Sequence, residues 1–257
     1  MCAASRWLES QRRDALFVDK LSYKLAGEEG RASPMGDWIM VPRTRFGDDY
    51  LRARYELGCR QLVMLGAGMD ARAWRMDLPE LRVYEVDKQD NFDVKEPLVA
   101  NEPLSVASRH AIAAEFEDKG GQWARDLVAA GFDPTQPTVW LLEGLVMYLT
   151  IRDTAELMGE IGRLSAKGSV VFHDACSGRY VQARIVVGGA PFVGGSDEYG
   201  RLWAEHGGFN RSFVHNFQSI KVDRAARQVV VDKRFGEATP EECRGRDVVL
   251  FVQTEKV

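Results

Sequence analysis

Two glycines and an acidic residue stand at a spacing that suits a nucleoside cofactor. Gly66 and Gly68 follow the apolar run QLVML, and Asp87 lies 21 residues after Gly66, at the end of the run RVYEV. Glycines at such a turn let a ligand approach the backbone, and an acid at the end of the next strand can accept hydrogen bonds from both ribose hydroxyls. The pattern predicts a site for an adenosine-containing cofactor. A plain tight turn, with Asp87 capping a helix, is the alternative.

Two classes of cofactor fit this turn. Residues 66–71 read as GxGxxA, which would serve a nicotinamide dinucleotide with Asp87 on the ribose. Asp70 favours S-adenosylmethionine instead, because that cofactor has no pyrophosphate for a nearby carboxylate to repel. The β-rich end of the chain also fits a sheet that ends in an antiparallel hairpin better than a second nucleotide-binding half.

Alternating strands and helices must position these residues. The predicted strands are 61–65, 82–86, 110–114, 138–142 and 169–172, and the predicted helices between them include 89–100, 122–130 and 150–165. Such alternation indicates a parallel α/β sheet covered by helices on both faces.

The two ends of the chain carry other patterns. Residues 5–26 and 43–60 have helical spacing, and residues 27–42, rich in Gly, Ser and Pro, predict a connection. Glycine pairs and aromatic residues in 177–212 predict an insertion over the sheet. Segments 228–232 and 248–253 predict an antiparallel pair, because the loop between them leaves no room for a long crossover helix.

We therefore predict one domain over residues 1–257. Its parts are a helical extension (1–60), a cofactor-binding core (61–176), a cap or lid (177–212) and a β-rich part of the sheet (213–257).

Composition argues against several classes of protein. Lys and Arg number 34 and Asp and Glu 38, and the basic residues are scattered, which disfavours a nucleic-acid binder. No apolar run approaches the roughly 20 residues that cross a bilayer, and the first residues do not resemble a signal peptide, so we expect a cytoplasmic protein without a membrane partner. The four cysteines are far apart, so neither a metal site nor a disulfide framework is predicted.

Four segments resemble the leucine carboxyl methyltransferase family of S-adenosylmethionine-dependent methyltransferases. They are PRTRFGDDYL, QLVMLGAGMDARAWR, VYEVD and TVWLLEGLVMYLT, in that order, and the similarity extends from about Asp14 to about Arg163. The resemblance implies a doubly wound, mostly parallel seven-stranded sheet of the Rossmann-like methyltransferase type, with an antiparallel C-terminal hairpin and a small cap. It also implies S-adenosylmethionine as cofactor and S-adenosylhomocysteine as product.

The same resemblance assigns charged residues to the cofactor. Arg43 matches an arginine that pairs with the methionine carboxylate, and Arg45 is close enough in sequence to be the true equivalent. Asp87 matches the ribose acid. Glu143, after TVWLL, matches a glutamate near the methionine end that can hold the ammonium group; a helix-capping or ion-paired acid is the alternative.

The remaining cofactor contacts are implied in the same way. Gly66, Ala67 and Gly68 match the loop under the cofactor. Glu115 and Phe116 stand where the family usually has an Asp-Leu pair that meets the adenine, and a glutamate there could still accept from the exocyclic amine.

Methyl transfer depends mostly on positioning and needs few catalytic groups. A carboxylate acceptor is already ionised at pH 7, whereas a phenol or alcohol benefits from a base. The candidate base is His173 in VVFHDAC, with Asp174 as a possible orienting partner, and Tyr148 could line the methyl-transfer site. A structural histidine and a packed aromatic residue are the alternatives.

We expect O-methyl transfer to a carboxylate or hydroxyl of a small-molecule acceptor, with the aromatic residues of 177–212 forming a lid over it. A protein C-terminal carboxylate is an alternative acceptor. An NAD(P)-dependent oxidoreductase is an alternative of a different class. The sequence does not predict the oligomeric state.

Overall fold

The predicted α/β sheet is present in the computed structural model, which describes residues 1–116, 121–232, 239, 243 and 248–257. Seven strands form the main sheet in the order β3-β2-β1-β4-β5-β11-β8, and two separate hairpins, β6–β7 and β9–β10, lie outside it. The strands are β1 Gln61–Leu65, β2 Leu78–Asp87, β3 Val106–Ala113, β4 Thr138–Leu142, β5 Val170–Cys176, β6 Val186–Val187, β7 Ala190–Pro191, β8 Arg211–Asn216, β9 Ile220–Asp223, β10 Gln228–Val231 and β11 Val249–Glu255.

Helices cover both faces of this sheet. They are α1 Cys2–Ser10, α2 Ser22–Leu25, α3 Gly27–Ala32, α4 Asp37–Glu56, α5 Arg72–Arg75, α6 Gln89–Val99, α7 Gln122–Ala129, α8 Ile151–Arg163, α9 Gly178–Gln182 and α10 Tyr199–Leu202, followed by the π-helical turn Trp203–Gly207. Strands β1 to β5 pair in parallel, and β11 runs antiparallel to both β5 and β8. The expected doubly wound, mostly parallel fold is thereby confirmed.

Strand β1 shows why the centre of the sheet is stable. All five of its residues are buried, because side chains alternate between two covered faces. Val63 and Leu65 belong to the core cluster under α7 and α8, and Leu62 and Met64 to the cluster that includes Ile39 of α4. The chain leaving β1 is therefore held rigidly where the glycine turn begins.

The N-terminal part differs from the expected connection at 27–42. Residues 27–32 form α3, and α4 begins at Asp37, five residues before Pro42. An interior proline costs a helix about 3 kcal/mol, but Ile39, Met40 and Val41 are all buried beside it, and this burial favours the helix.

The C-terminal strands also differ from the prediction. Residues 228–231 pair with β9 and not with residues 248–253, so the predicted antiparallel pair is wrong. Strand β11 instead lies between β5 and β8 and runs antiparallel to both, so the C-terminal end of the sheet is antiparallel as expected, but with a different partner strand. Leu250, Phe251 and Val252 are all 0% exposed, which suits a central strand and not an edge hairpin.

Strand β3 begins at Val106, four residues before the expected start. Among the described residues, no helix is long and apolar enough to cross a membrane.

Candidate functional site

A cavity of about 410 Å³ opens where β1, β4 and β5 end. Its wall includes the turn after β1, Glu143 and Gly144 after β4, and Asp174 near the end of β5. In open α/β sheets, ligands bind outside the carboxyl ends of the strands where the strand order reverses. Here that point lies between β1 and β4, because β2 and β3 are on one side of β1 and β4 and β5 on the other.

The glycine turn forms the floor of this cavity. Gly66 and Gly68 have φ values of 71° and 46°, which favour glycine, and Ala67 lies between them in the cavity wall. A Cβ atom on Gly66 would lie 3.3 Å from the side chain of Leu145. Positive φ favours glycine at both positions, and a side chain at position 66 would also crowd Leu145.

Asp87 supports this loop from behind. Its carboxylate accepts hydrogen bonds from the backbone N–H groups of Gly68 and Lys88 and from Asn91 Nδ2, the last two at 2.7 Å. Asp87 is only 6% exposed and does not line the cavity. The structure thus shows Asp87 tying the end of β2 to the glycine turn.

Arg43 and its two acidic neighbours come together from three distant segments. Arg43 Nη1 donates to Asp174 Oδ2 at 2.6 Å, and Arg43 Nε lies 3.7 Å from Glu143 Oε2. Asp174 Oδ1 accepts from the backbone N–H of Gly144 at 2.6 Å. Burial opposes the charge, but Asp174 and Glu143 raise the pKa of Arg43 above its usual value.

Arg72 was missed by the sequence reasoning, although it stands inside the GAGMDARAWR motif. Its guanidinium donates to Asp48 Oδ1 at 2.8 Å, to Asp70 Oδ2 at 2.7 Å and to Glu143 Oε1 at 2.6 Å. A Cβ atom on Gly47 would collide with the carboxylate of Glu143. The only available signal was an arginine directly after Ala71 in a loop that already carried Asp70.

Glu143 is the carboxylate that joins the two arginines. Its burial raises its pKa, and Arg72 and Arg43 act in the opposite direction. The arrangement keeps fixed positive and negative groups side by side at the end of β4, where a ligand with both charges could be held.

Arg45 does not reach this cavity. Its Nε lies 2.8 Å from Asp49 Oδ1, and the side chain lines a separate cavity of about 160 Å³ with Asp48 and Arg75. Of the two arginines considered from the sequence, Arg43 is the one in the wall of the large cavity.

His173 points away from the cavity, which corrects its expected place on the cofactor side. Consecutive residues of a strand face opposite sides, so Asp174 faces the cavity and His173 the core under α8, with 0% exposure. Trp203 Nε1 donates to His173 Nε2 at 2.9 Å. Burial lowers the pKa of His173 to about 4, so it is a neutral structural histidine at pH 7.

Tyr148 does lie in the wall of the cavity, and its ring centroid is 5.2 Å from that of Phe192. Glu115 and Phe116 do not line it. Glu115 is exposed and pairs with Lys88 at 2.8 Å, and Phe116 packs edge-on to Trp123 at 6.4 Å.

The segment between β5 and β8, which the sequence predicts to be a cap or lid, contributes residues to the cavity wall. Tyr180 of α9, Ile185 before β6 and Phe192 after β7 all contribute to the wall. Trp38, near the start of α4, also lines the cavity and is 61% exposed, which places it at the rim.

Comparison with known proteins finds relatives for more than half of the chain. The model of the leucine carboxyl methyltransferase family matches residues 1–162. A protein from Parafrankia named "Putative S-adenosyl-L-methionine-dependent methyltransferase" is 38% identical over 186 residues, which are 65% of this chain and 59% of the relative. A protein of the same name from Mycolicibacterium vanbaalenii is 44% identical over 146 residues, 56% of this chain and 48% of the relative. The matched part is thus about half to three fifths of each of these curated relatives.

Solved structures share the fold at low sequence identity. A DUF574 family protein from Streptomyces avermitilis superposes with a TM-score of 0.58 at 12% identity, over 100% of this chain and 97% of that one. A protein described as a "putative methyltransferase" from Thermobifida fusca gives a TM-score of 0.59 at 16% identity, over 99% and 94%. These similarities extend the fold assignment through the C-terminal third.

Proposed function

Because the chain belongs to the leucine carboxyl methyltransferase family, we propose that it is an S-adenosylmethionine-dependent methyltransferase that transfers the methyl group to an oxygen atom of a small-molecule acceptor. One observation carries the proposal: Arg43 lies between Glu143 and Asp174 in the wall of a cavity whose floor is the glycine turn after β1.

The residues present fit this cofactor. Its methionine end carries a carboxylate and an ammonium group, and the cavity wall offers a guanidinium and carboxylates in contact with each other. Within the described part of the chain, the buried Arg43 Nε has no hydrogen-bond partner, so the guanidinium keeps a free donor. A carboxylate is the acceptor that a guanidinium fork binds best.

The chain's own residues have separate tasks in this proposal. Arg43 binds the carboxylate of the methionine end and Glu143 its ammonium group, while Gly66 and Gly68 leave room for the cofactor against the backbone. Asp87 contributes by holding the glycine turn in place through the Gly68 N–H. Asp174 orients Arg43 and is itself fixed by the N–H of Gly144.

S-adenosylmethionine, when bound, would supply a sulfonium methyl group to the acceptor oxygen and would leave as the neutral thioether, which keeps the electron pair of the broken sulfur–carbon bond. The protein's contribution to the rate is positioning and exclusion of water. His173 has no part in this proposal, because it faces the core.

Calorimetric titration with S-adenosylhomocysteine tests the cofactor assignment without knowledge of the acceptor. We expect micromolar binding, which corresponds to about −8 kcal/mol. Glu143→Gln should weaken it by about 1–3 kcal/mol, the usual loss when a charged hydrogen-bond partner is removed. Arg72 keeps Asp48 and Asp70 as partners in that variant, so the fold should persist.

Glu80→Gln is the matched control, because Glu80 is an exposed carboxylate near the start of β2 that pairs with Arg60 at 2.8 Å and lies outside the cavity. Its affinity for S-adenosylhomocysteine should equal that of the unmodified chain. Tighter binding of NAD(H) or NADP(H) than of S-adenosylhomocysteine, or no binding of the latter, would overturn the proposed function.

A further inference from the structure

The cavity is divided between a charged part and an apolar part. The charged part comprises the ends of β1 and β4 with Arg43, Arg72 and Glu143. The apolar part is formed by Met147 and Tyr148 after β4, by Tyr180, Ile185 and Phe192 between β5 and β8, and by Trp38 of α4, whose ring packs edge-on to Phe217. The rings of Tyr148 and Tyr180 have their centroids 5.2 and 6.4 Å from that of Phe192, so three aromatic side chains form one continuous wall.

Strand order decides which part the acceptor occupies. The cofactor of the proposed function would have its adenosine near β2 and the glycine turn and its methionine end at Arg43 and Glu143, after β4. In the sheet order β2-β1-β4-β5, the cofactor would thus extend from β2 to β4. The residues that follow β5 lie one strand beyond its methionine end. The apolar part is therefore left for the methyl acceptor.

The charges of the wall disfavour an anionic acceptor. Among the described residues, three arginines line the cavity: Arg6 pairs with Asp19 at 3.1 Å, and Arg72 pairs with three carboxylates. Arg43 pairs with Asp174 at 2.6 Å, and its remaining donor is assigned to the cofactor carboxylate by the function proposed above. Among the described residues that line the apolar part, there is no lysine, arginine or histidine. A carboxylate moved there from water would lose its hydration without gaining a cationic partner.

An uncharged aromatic ring would bind this apolar wall without the desolvation cost of a carboxylate. It would bury apolar surface against the wall and could pack edge-on to the existing rings. Trp38 adds a large apolar surface at the rim, where its 61% exposure leaves area for a ligand to cover.

We propose that the methyl acceptor is an uncharged aromatic alcohol of the phenol type, bound against Phe192, Tyr148 and Trp38; this inference rests on the function proposed above. The methyl group replaces the hydroxyl proton on the acceptor oxygen, and the proton passes to water at the rim beside Trp38. A phenol remains neutral at pH 7 because it ionises near pH 10.

The test compares two probes of the same shape, 4-phenylphenol and biphenyl-4-carboxylate, by calorimetric titration into the protein saturated with S-adenosylhomocysteine. We expect the phenol to bind at least tenfold more tightly. Equal or tighter binding of the carboxylate, or no phenol binding below millimolar concentration, would overturn the inference.

Variants locate the binding surface. Phe192→Ala should weaken phenol binding about tenfold and leave the affinity for S-adenosylhomocysteine unchanged. Ile185→Arg should raise the affinity for the carboxylate probe, because it adds the missing cation. Phe213→Ala is the control, since Phe213 is exposed on β8 and outside the cavity; it should change neither affinity.

The two proposals fail in different ways. If the unmodified chain does not bind S-adenosylhomocysteine, the proposed function is refuted. Intact S-adenosylhomocysteine binding with a preference for the carboxylate probe, or with phenol binding unaffected by Phe192→Ala, refutes only the acceptor class.

Discussion

A cluster of buried ionic groups lies in the wall of the cavity. Arg43 and Arg72 are 6% and 2% exposed, and Glu143 contacts both. Buried ion pairs add little net stability, because desolvation offsets most of the attraction. A cluster at the ends of strands is better explained by preorganisation for a charged ligand than by stabilisation of the core.

His173 is predicted to control the pH dependence of stability. Its Nε2 must accept from Trp203, whose indole N–H is only a donor, so protonation would break this buried contact. Its pKa falls from 6.5 to about 4 on folding, so its stabilising effect is complete above pH 6.5 and is lost as the pH falls towards 4. The free energy of unfolding should decrease by about 2 kcal/mol between pH 7 and pH 5 from this group.

Urea unfolding of the unmodified chain and of His173→Gln at both pH values measures this contribution. A glutamine oxygen can still accept from Trp203 but does not titrate. The variant should therefore lose about 2 kcal/mol less than the unmodified chain between the two pH values. Identical pH dependence in both proteins would show that His173 does not titrate on unfolding as argued.

His173 and its neighbour Asp174 show how much of the site can be predicted from the sequence. The glycine turn, Arg43 and Glu143 could be located because each stands in a motif with fixed neighbours. His173 and Asp174 are adjacent in VVFHDAC, and only the register of β5 decides which of them faces the cavity. Arg72 could not be assigned, because its three carboxylate partners come from separate segments.

At the scale of elements, α8 packs closely on the π-helical turn after α10. Gly162 of α8 lies against Gly207, and a Cβ atom on Gly162 would be 2.7 Å from the Gly207 carbonyl carbon. Backbone cannot move aside as a flexible side chain can. The absence of a side chain at position 162 thus allows the turn that carries Trp203 to pack directly on α8.

Two glycines of the same helix provide a matched test. Gly162→Ala should lower the free energy of unfolding by about 1–3 kcal/mol through overpacking. At Gly159, the Cβ atom would lie 3.8 Å from its nearest neighbour, His206 O, which is ordinary contact. Gly159→Ala should therefore raise stability by up to about 1 kcal/mol through helix propensity. Urea unfolding of both variants measures these changes in the free energy of unfolding. Equal changes would contradict the close packing of Gly162 on Gly207.

At the scale of the whole molecule, the sequence predicts strand pairing well when the paired strands are close in the chain and poorly when they are far apart. The alternation from β1 to β5 is local, and the sequence shows it as apolar runs between amphipathic segments. The position of β11 is not local, because residues 249–255 enter between β5 and β8. Neighbouring β-rich runs suggested a pair with residues 228–232, but pairing is decided by the two-sided burial of Leu250, Phe251 and Val252.

This topology predicts that the last strand is indispensable, although the family match ends at residue 162. Removal of residues 248–257 would leave the edges of β5 and β8 unpaired. It would also remove three fully buried side chains, worth about 5–9 kcal/mol together, which is comparable to the whole stability of a typical domain. We expect the truncated chain to show no cooperative thermal transition by circular dichroism, whereas removal of the exposed Val257 alone should leave the midpoint unchanged. A cooperative transition at the original temperature in the truncated chain would mean that β5 can close the sheet by itself, and that the central place of β11 contributes nothing to the fold.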